Sequence, residues 1–214
     1  MKRKTHEKEV RKKIIKAARQ LFLEQGFDNT TIRQITQKAE ISTGTLYHFY
    51  KDKEDIFFHI ADETFLKVIA KSLELVPDED IYLRLVCEMA IHIQSFLSNR
   101  NTAELYVIAY GSYKISEEVM LKQHPRMKAF INNKGSSLGE EDLPLISLTI
   151  KGLLHALALK AMNGEYLAPA EIIPQSSRLI LSLLAVPAAE IDATISQLER
   201  LDIPKSLALK IHEI

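Results

Sequence analysis

TTIRQITQKAEISTGTLYHFY, residues 30–50, sets two short helical patterns end to end with hardly any loop between them. Thr31 stands where an N-cap is needed and Gln34, three residues on, completes a capping box; Ile32, Ile35 and Ala39 then recur at helical spacing. Glu40-Ile41 makes the turn, and Ser42 is the N-cap of a second helix. Two helices joined by so short a turn form a helix-turn-helix. At about 100° per residue the second helix sends Leu46 and Phe49 to one side and Gly44, Tyr47 and His48 to the other. The first side is core. The second carries hydroxyls, a phenol, an imidazole and a glycine, groups that donate to phosphates, touch base edges and let a backbone approach a duplex closely. Taken alone, this face also suits an ordinary surface helix with its polar residues outward.

Composition narrows the choice. The 214 residues are 46% apolar with seven glycines and seven prolines, which suits a compact helical protein of one or two domains. The single cysteine, Cys87, excludes an internal disulfide framework and a multi-cysteine metal site, and no metal or cofactor is expected. Net charge is zero, yet residues 1–53 hold 13 Lys and Arg against 6 Asp and Glu, while residues 54–214 hold 15 against 22. The cations sit on the segment that contains the helix-turn-helix. That asymmetry points to a polyanionic partner, since phosphate neutralisation supplies most non-specific DNA affinity, although a solvated basic tail has the same composition. The charged start, residues 1–9, has no apolar stretch behind it, and no uninterrupted apolar run approaches the ~18 residues of a membrane span. The expectation is a cytoplasmic protein with no membrane partner.

An amphipathic helix over about Glu7 to Gln25 precedes the motif, with Val10, Ile14, Ala18, Leu21 and Phe22 as its apolar stripe and Gly26 as its stop. Its other face is Lys8, Arg11, Lys12, Lys16 and Arg19, expected to point outward. After the motif Asp52 caps a long helix that ends before Pro77, a candidate lever between two domains, whose first turn holds Lys53.

Residues 7–56 resemble the DNA-binding domain of the tetracycline-repressor (TetR) family of transcription regulators. The resemblance runs through Ile14, Ala17, Ala18, Leu21, Phe22, Gly26, Phe27, Thr30, Thr31, Ile32, Ile35 and Ala39, then Ser42, Gly44, Thr45, Leu46, Tyr47, Lys53 and Ile56. Glu40 stands where the family often has a small or apolar residue, and Phe49-Tyr50 reverses the commoner order. The resemblance implies an all-α fold, with a three-helix DNA-binding domain over 1–52 and a helical ligand-binding and dimerisation domain over 53–214. It implies that Thr43, Gly44, Thr45, Tyr47 and His48 face the major groove, that Thr30, Thr31, Tyr50 and Lys53 contact phosphates, and that Arg33 contacts a base or a phosphate.

From Asp78 onward only helical patterns remain: about 80–99, 102–113, 116–133 with Pro125 as a break, 145–162 and 176–186. The last two are apolar nearly all round and need cover on more than one side, from intramolecular core or from a second copy; the resemblance implies the second. Residues 187–214 exceed the simplest form of the family, with Ile191, Ile195, Leu198 and Leu201 suggesting one more helix and Leu207, Leu209 and Ile211 a final apolar element. A helical domain with space in its middle holds small apolar ligands, and the inward candidates are Phe65, Met89, His92, Phe96, Tyr106, Tyr110, Tyr113, Met120 and His155, each of which also fits plain core. No nucleophile elbow, phosphate-cradling glycine loop or histidine pair at metal spacing is present, and the seven histidines are scattered singly, so an enzyme is not expected. The expectation is a homodimeric repressor that a small molecule releases from its operator. A DNA-binding dimer without an effector, and a helical interaction module without DNA, stay open as alternatives.

Overall fold

The computed structural model describes residues 2–76, 80–115, 117, 128 and 138–203, and no strand occurs among them. Helices are α1 (Lys2–Gln25), α2 (Ile32–Ala39), α3 (Thr43–Phe49), α4 (Lys53–Leu75), α5 (Ile81–Leu97) and α6 (Arg100–Gly111), then α7 (Leu143–Met162), α8 (Pro169–Leu183) and α9 (Ala188–Leu198). A single 3-10 turn, Glu140–Asp142, leads into α7. The chain forms two compact units, the first ending at Phe65 and the second beginning at Leu66, so α4 contributes to both.

In the first unit the apolar stripe of α1 is the core. Ile14, Ala18 and Phe22 are fully buried, together with Ile35 of α2, Leu46 of α3 and Ile56 of α4. Phe22, Phe27 and Phe57 form a triangle of rings with centroids 5.0, 5.3 and 6.0 Å apart. α1 starts at Lys2, five residues before the expected Glu7, and stops where Gly26 takes φ 86, a left-handed value that glycine adopts without strain. Arg19 corrects the reading of the basic face. It is 7% exposed and donates from Nη2 to Glu63 Oε2 at 2.7 Å, because a partner from α4 lies beside it and its stem packs inward.

In the second unit α5 is the central helix, packed against α6, α7, α8 and α9, while α6 lies along α7. Both of the first two helices are capped by side chains: Asp80 Oδ1 accepts from Leu83 N at 2.9 Å and Asn99 Oδ1 accepts from Thr102 N at 2.9 Å. α8 begins at Pro169, seven residues before the expected Ser176. Proline suits a first helical turn, and Pro174 is accommodated inside the helix. α9 realises the apolar pattern of the C-terminal extension, burying Ile191, Ile195 and Leu198 against α5 and α8. The α7 pattern proved apolar on faces that the chain leaves open: Leu145 is 67% and Leu148 53% exposed, as is Leu179 of α8 at 53%. α7 also has the length and hydropathy of a membrane span, interrupted by Lys151 and Lys160. The helix expected over 116–133 and the apolar element at Leu207, Leu209 and Ile211 lie outside the described residues, apart from Glu117 and Lys128.

Candidate nucleic-acid interface

Local chemistry fixes where α3 starts. Ser42 Oγ accepts from Thr45 N at 3.0 Å and lies 2.8 Å from the Thr45 hydroxyl, so the first turn is closed by its own side chains. Leu46 anchors the helix at 0% exposure, and the opposite face stands open: Thr43, Gly44, Tyr47 and His48 are exposed, with Tyr47 at 55%. A Cβ built on Gly44 would meet nothing nearer than Ser42 Oγ at 3.8 Å, so internal packing does not require glycine there. The missing side chain leaves bare backbone on the outer face, as close approach to a duplex demands. Thr45 is half-buried, its hydroxyl engaged with Ser42.

α2 presents its N-terminus to solvent. Gln34 N donates to Thr31 Oγ1 at 3.3 Å, and Thr31 N donates to Gln34 Oε1 at 2.8 Å, the capping box that the sequence called for. Thr31 and Arg33 are exposed. α2 ends on Glu40 at φ 55, with Ile41 N donating to Thr36 O at 3.1 Å and Glu40 N to Gln37 O at 3.3 Å, so the turn is a Schellman motif built on a residue other than glycine.

Three of the residues expected to touch phosphates have internal duties. Thr30 is 1% exposed and its hydroxyl donates to Gly26 O at 2.7 Å, which leaves no hydroxyl surface for a phosphate. Tyr50 is 3% exposed, with the His59 ring 5.3 Å and the Arg11 guanidinium 5.6 Å from its centroid; burial raises its phenol pKa, against the opposing pull of Arg11. Lys53 donates from Nζ to Phe27 O at 2.7 Å and Thr30 O at 3.0 Å, with Nζ 4.1 Å above the Phe27 ring. It ties the first turn of α4 to the loop between α1 and α2. Sequence reasoning missed this because both acceptors are main-chain carbonyls, invisible to side-chain patterns.

Of the ligand-site candidates, His92, Phe96 and Tyr106 come together, buried where α5 meets α6, and Met89 of α5 is buried as well. His92 Nδ1 and Tyr106 Oη are 3.0 Å apart, and the Tyr106 ring lies 5.5 Å from Phe96 and 5.9 Å from Tyr110. Burial pushes the His92 imidazole down to about 4 and both tyrosine phenols upward. His155 of α7 is half-buried, with Nε2 3.8 Å from the place of a Gly111 Cβ, so it borders the same helix pair. Tyr113 is corrected: at 79% exposure it faces solvent. Phe65 is half-buried and ends the first unit. Met120 lies outside the described residues. A groove of about 870 Å³ opens where α5 ends, lined by Leu97, Ile173, Pro174 and Leu198 among others, and none of the nine candidates lines it. Cys87 is fully buried, its thiol pushed up to about 12 by burial and by Glu88, so it is unreactive. Among the described residues no group of three or more His, Cys, Asp or Glu is placed to hold a metal.

Residues 14–60, which span α1 from its apolar stripe to the first turns of α4, match the sequence profile of the bacterial regulatory proteins of the tetR family. The transcriptional regulator HbdR of Aromatoleum sp. (strain CIB) is 52% identical over 50 residues, 23% of this chain and 22% of that protein. The transcriptional regulator UidR of Escherichia coli (strain K12) is 25% identical over 191 residues, covering 88% of this chain and 85% of its own. The fold of RolR, solved in complex with resorcinol, covers 90% of this chain and 95% of that one with a TM-score of 0.65 at 19% identity. The helix capped by Ser42, anchored by Leu46 and bare at Gly44 thus sits within the matched segment: residues 14–60 form a domain of the kind found in the bacterial regulatory proteins of the tetR family.

Proposed function

We propose that the chain regulates transcription as a homodimer, each protomer setting α3 in a major groove of a roughly palindromic operator, and that a small molecule bound in the second unit releases it. One observation carries the DNA reading: the outward face of α3 is a phenol, an imidazole, a hydroxyl and bare backbone, within residues 1–53, which hold 13 Lys and Arg against 6 Asp and Glu. Thr31 and Arg33, exposed at the start of α2, supply the flanking contacts, and the buried Thr30 and Tyr50 hold the scaffold. Open leucines on α7 and α8 support pairing of two copies. The His92 and Tyr106 pair, polar and buried among apolar side chains, supports an effector site with few directional groups. The same pair is already hydrogen-bonded within the core, which favours the second reading, a DNA-binding dimer with no small-molecule effector.

The test begins with a duplex selected by the wild-type chain from a random pool. Tyr47→Ala should keep the helical circular-dichroism spectrum and weaken binding to the selected duplex roughly tenfold or more, the loss expected from one good groove contact at about 1–3 kcal/mol. Equal affinity in the variant removes α3 from the interface.

A further inference from the structure

We infer that the cationic face of α1, through Lys8, Arg11 and Lys12, is a second DNA-contacting surface that grips backbone phosphates beside the groove entered by α3. The inference rests on the α3 reading for its location. Three observations carry it. The first unit has a half-open cleft of about 690 Å³ whose lining includes Lys8, Arg11, Lys12 and Lys16 of α1 together with Tyr50 and His59. Its carboxylates are outnumbered, and Glu63 is taken by Arg19.

Arg11 also has a defined position. Its guanidinium lies 4.9 Å from the Phe49 ring and 5.6 Å from the Tyr50 ring, the last residue of α3 and its C-cap. The His48 ring meets Phe49 edge-on at 5.0 Å. A continuous path of contacts therefore runs from the outer face of α3, through Phe49, to the basic face of α1. Contact with the two rings and a hydrogen bond to the Tyr50 phenol fix where the planar guanidinium sits, and its five donors exceed what that one bond uses.

Spacing points the same way. Lys8 and Lys12 are exposed, one turn apart and about 6 Å along the helix axis, and like charges at that separation destabilise a helix slightly unless an anion lies between them. A duplex backbone supplies a row of such anions. The partner is duplex DNA because the surface adjoins the groove-facing helix and is complementary in charge to phosphate.

The experiment measures binding against salt for the wild-type chain and for Lys8→Gln/Lys12→Gln, on the selected duplex trimmed stepwise at both ends and on a scrambled duplex. Both lysines are exposed, so folding is preserved, and circular dichroism verifies it. The expected result is a salt slope lower in the double variant by about 0.9 for each phosphate no longer neutralised. Trimming the flanks should weaken the wild type and leave the variant nearly unchanged. An identical slope, or equal sensitivity to trimming, overturns the inference. The scrambled duplex separates the two readings: if no sequence is ever selected the α3 reading fails, whereas the slope on scrambled DNA still judges α1.

Discussion

Lys53 shows how one residue can change role between sequence and structure. With two carbonyls and a ring around its ammonium group, it is a strut between α4 and the loop that leads into α2. Lys53→Met should destabilise the first unit by about 1–3 kcal/mol, the range for hydrogen bonds to a charged group, and lower DNA affinity without changing the salt slope. A phosphate contact would instead lower the slope by about one. Denaturant melts and a salt titration on the same variant distinguish these outcomes. His92 gives a second prediction, with an acid limb. Its imidazole is held near 4 in the folded chain against 6.5 when free, so between those values the unfolded chain binds the proton and the folded chain does not. Stability of the second unit is then full above about 6.5 and falls as pH drops toward 4, by on the order of 3 kcal/mol. His92→Gln, which keeps an amide to meet Tyr106, should flatten that limb in melts taken across the range; an unchanged limb assigns it to other groups.

Helix ends explain which parts of the fold were legible. The capping box at Thr31 and Gln34, the Ser42 cap, the Gly26 stop and the Asp52 cap are all local, set by residues within three or four positions, and each was readable from spacing. What went unread depends on distant partners or on the main chain: Arg19 is buried because Glu63, 44 positions away, receives it, and Lys53 is held by carbonyls. The start of α8 was missed because Pro169, Ala170 and Glu171 carry no apolar periodicity, though proline fits a first turn. The outer face of α3 was legible because a seven-residue helix with one buried leucine leaves little choice of orientation. The ligand candidates were half-legible: period alone cannot tell an inward aromatic from Tyr113, which turns outward where α6 has ended. A test at this scale is Ala185, which ends α8 in a Schellman motif at φ 55, with Val186 N donating to Leu181 O at 3.0 Å. Ala185→Gly should raise the melting midpoint, gaining about 1 kcal/mol from relief of the left-handed strain. A lower midpoint would mean that the Ala185 methyl packs usefully.

Across the whole molecule the sequence divides its chemistry, with an excess of cations over residues 1–53 and an excess of carboxylates over residues 54–214, where the exposed leucines also lie. The leucines of the second unit are harder to account for in a monomer: Leu145, Leu148 and Leu159 recur along α7 on faces the chain leaves open, Gly152 between them has open space beside it, and Leu179 of α8 is equally bare. Each such side chain is stabilising by about 1.5–3 kcal/mol once covered, so a twofold seam that buries the set twice over is a large driving force. Leu145→Glu/Leu148→Glu places carboxylates in that seam, and twofold symmetry duplicates them on the facing copy, where neither would have a partner. The variant should sediment as a monomer with unchanged helicity. It should also bind the selected duplex far more weakly, because a second recognition helix tethered to the first gains effective concentration that a lone protomer lacks. If the variant still sediments with the wild type, α7 is not the seam; if it is monomeric yet binds undiminished, the operator is read by one protomer at a time.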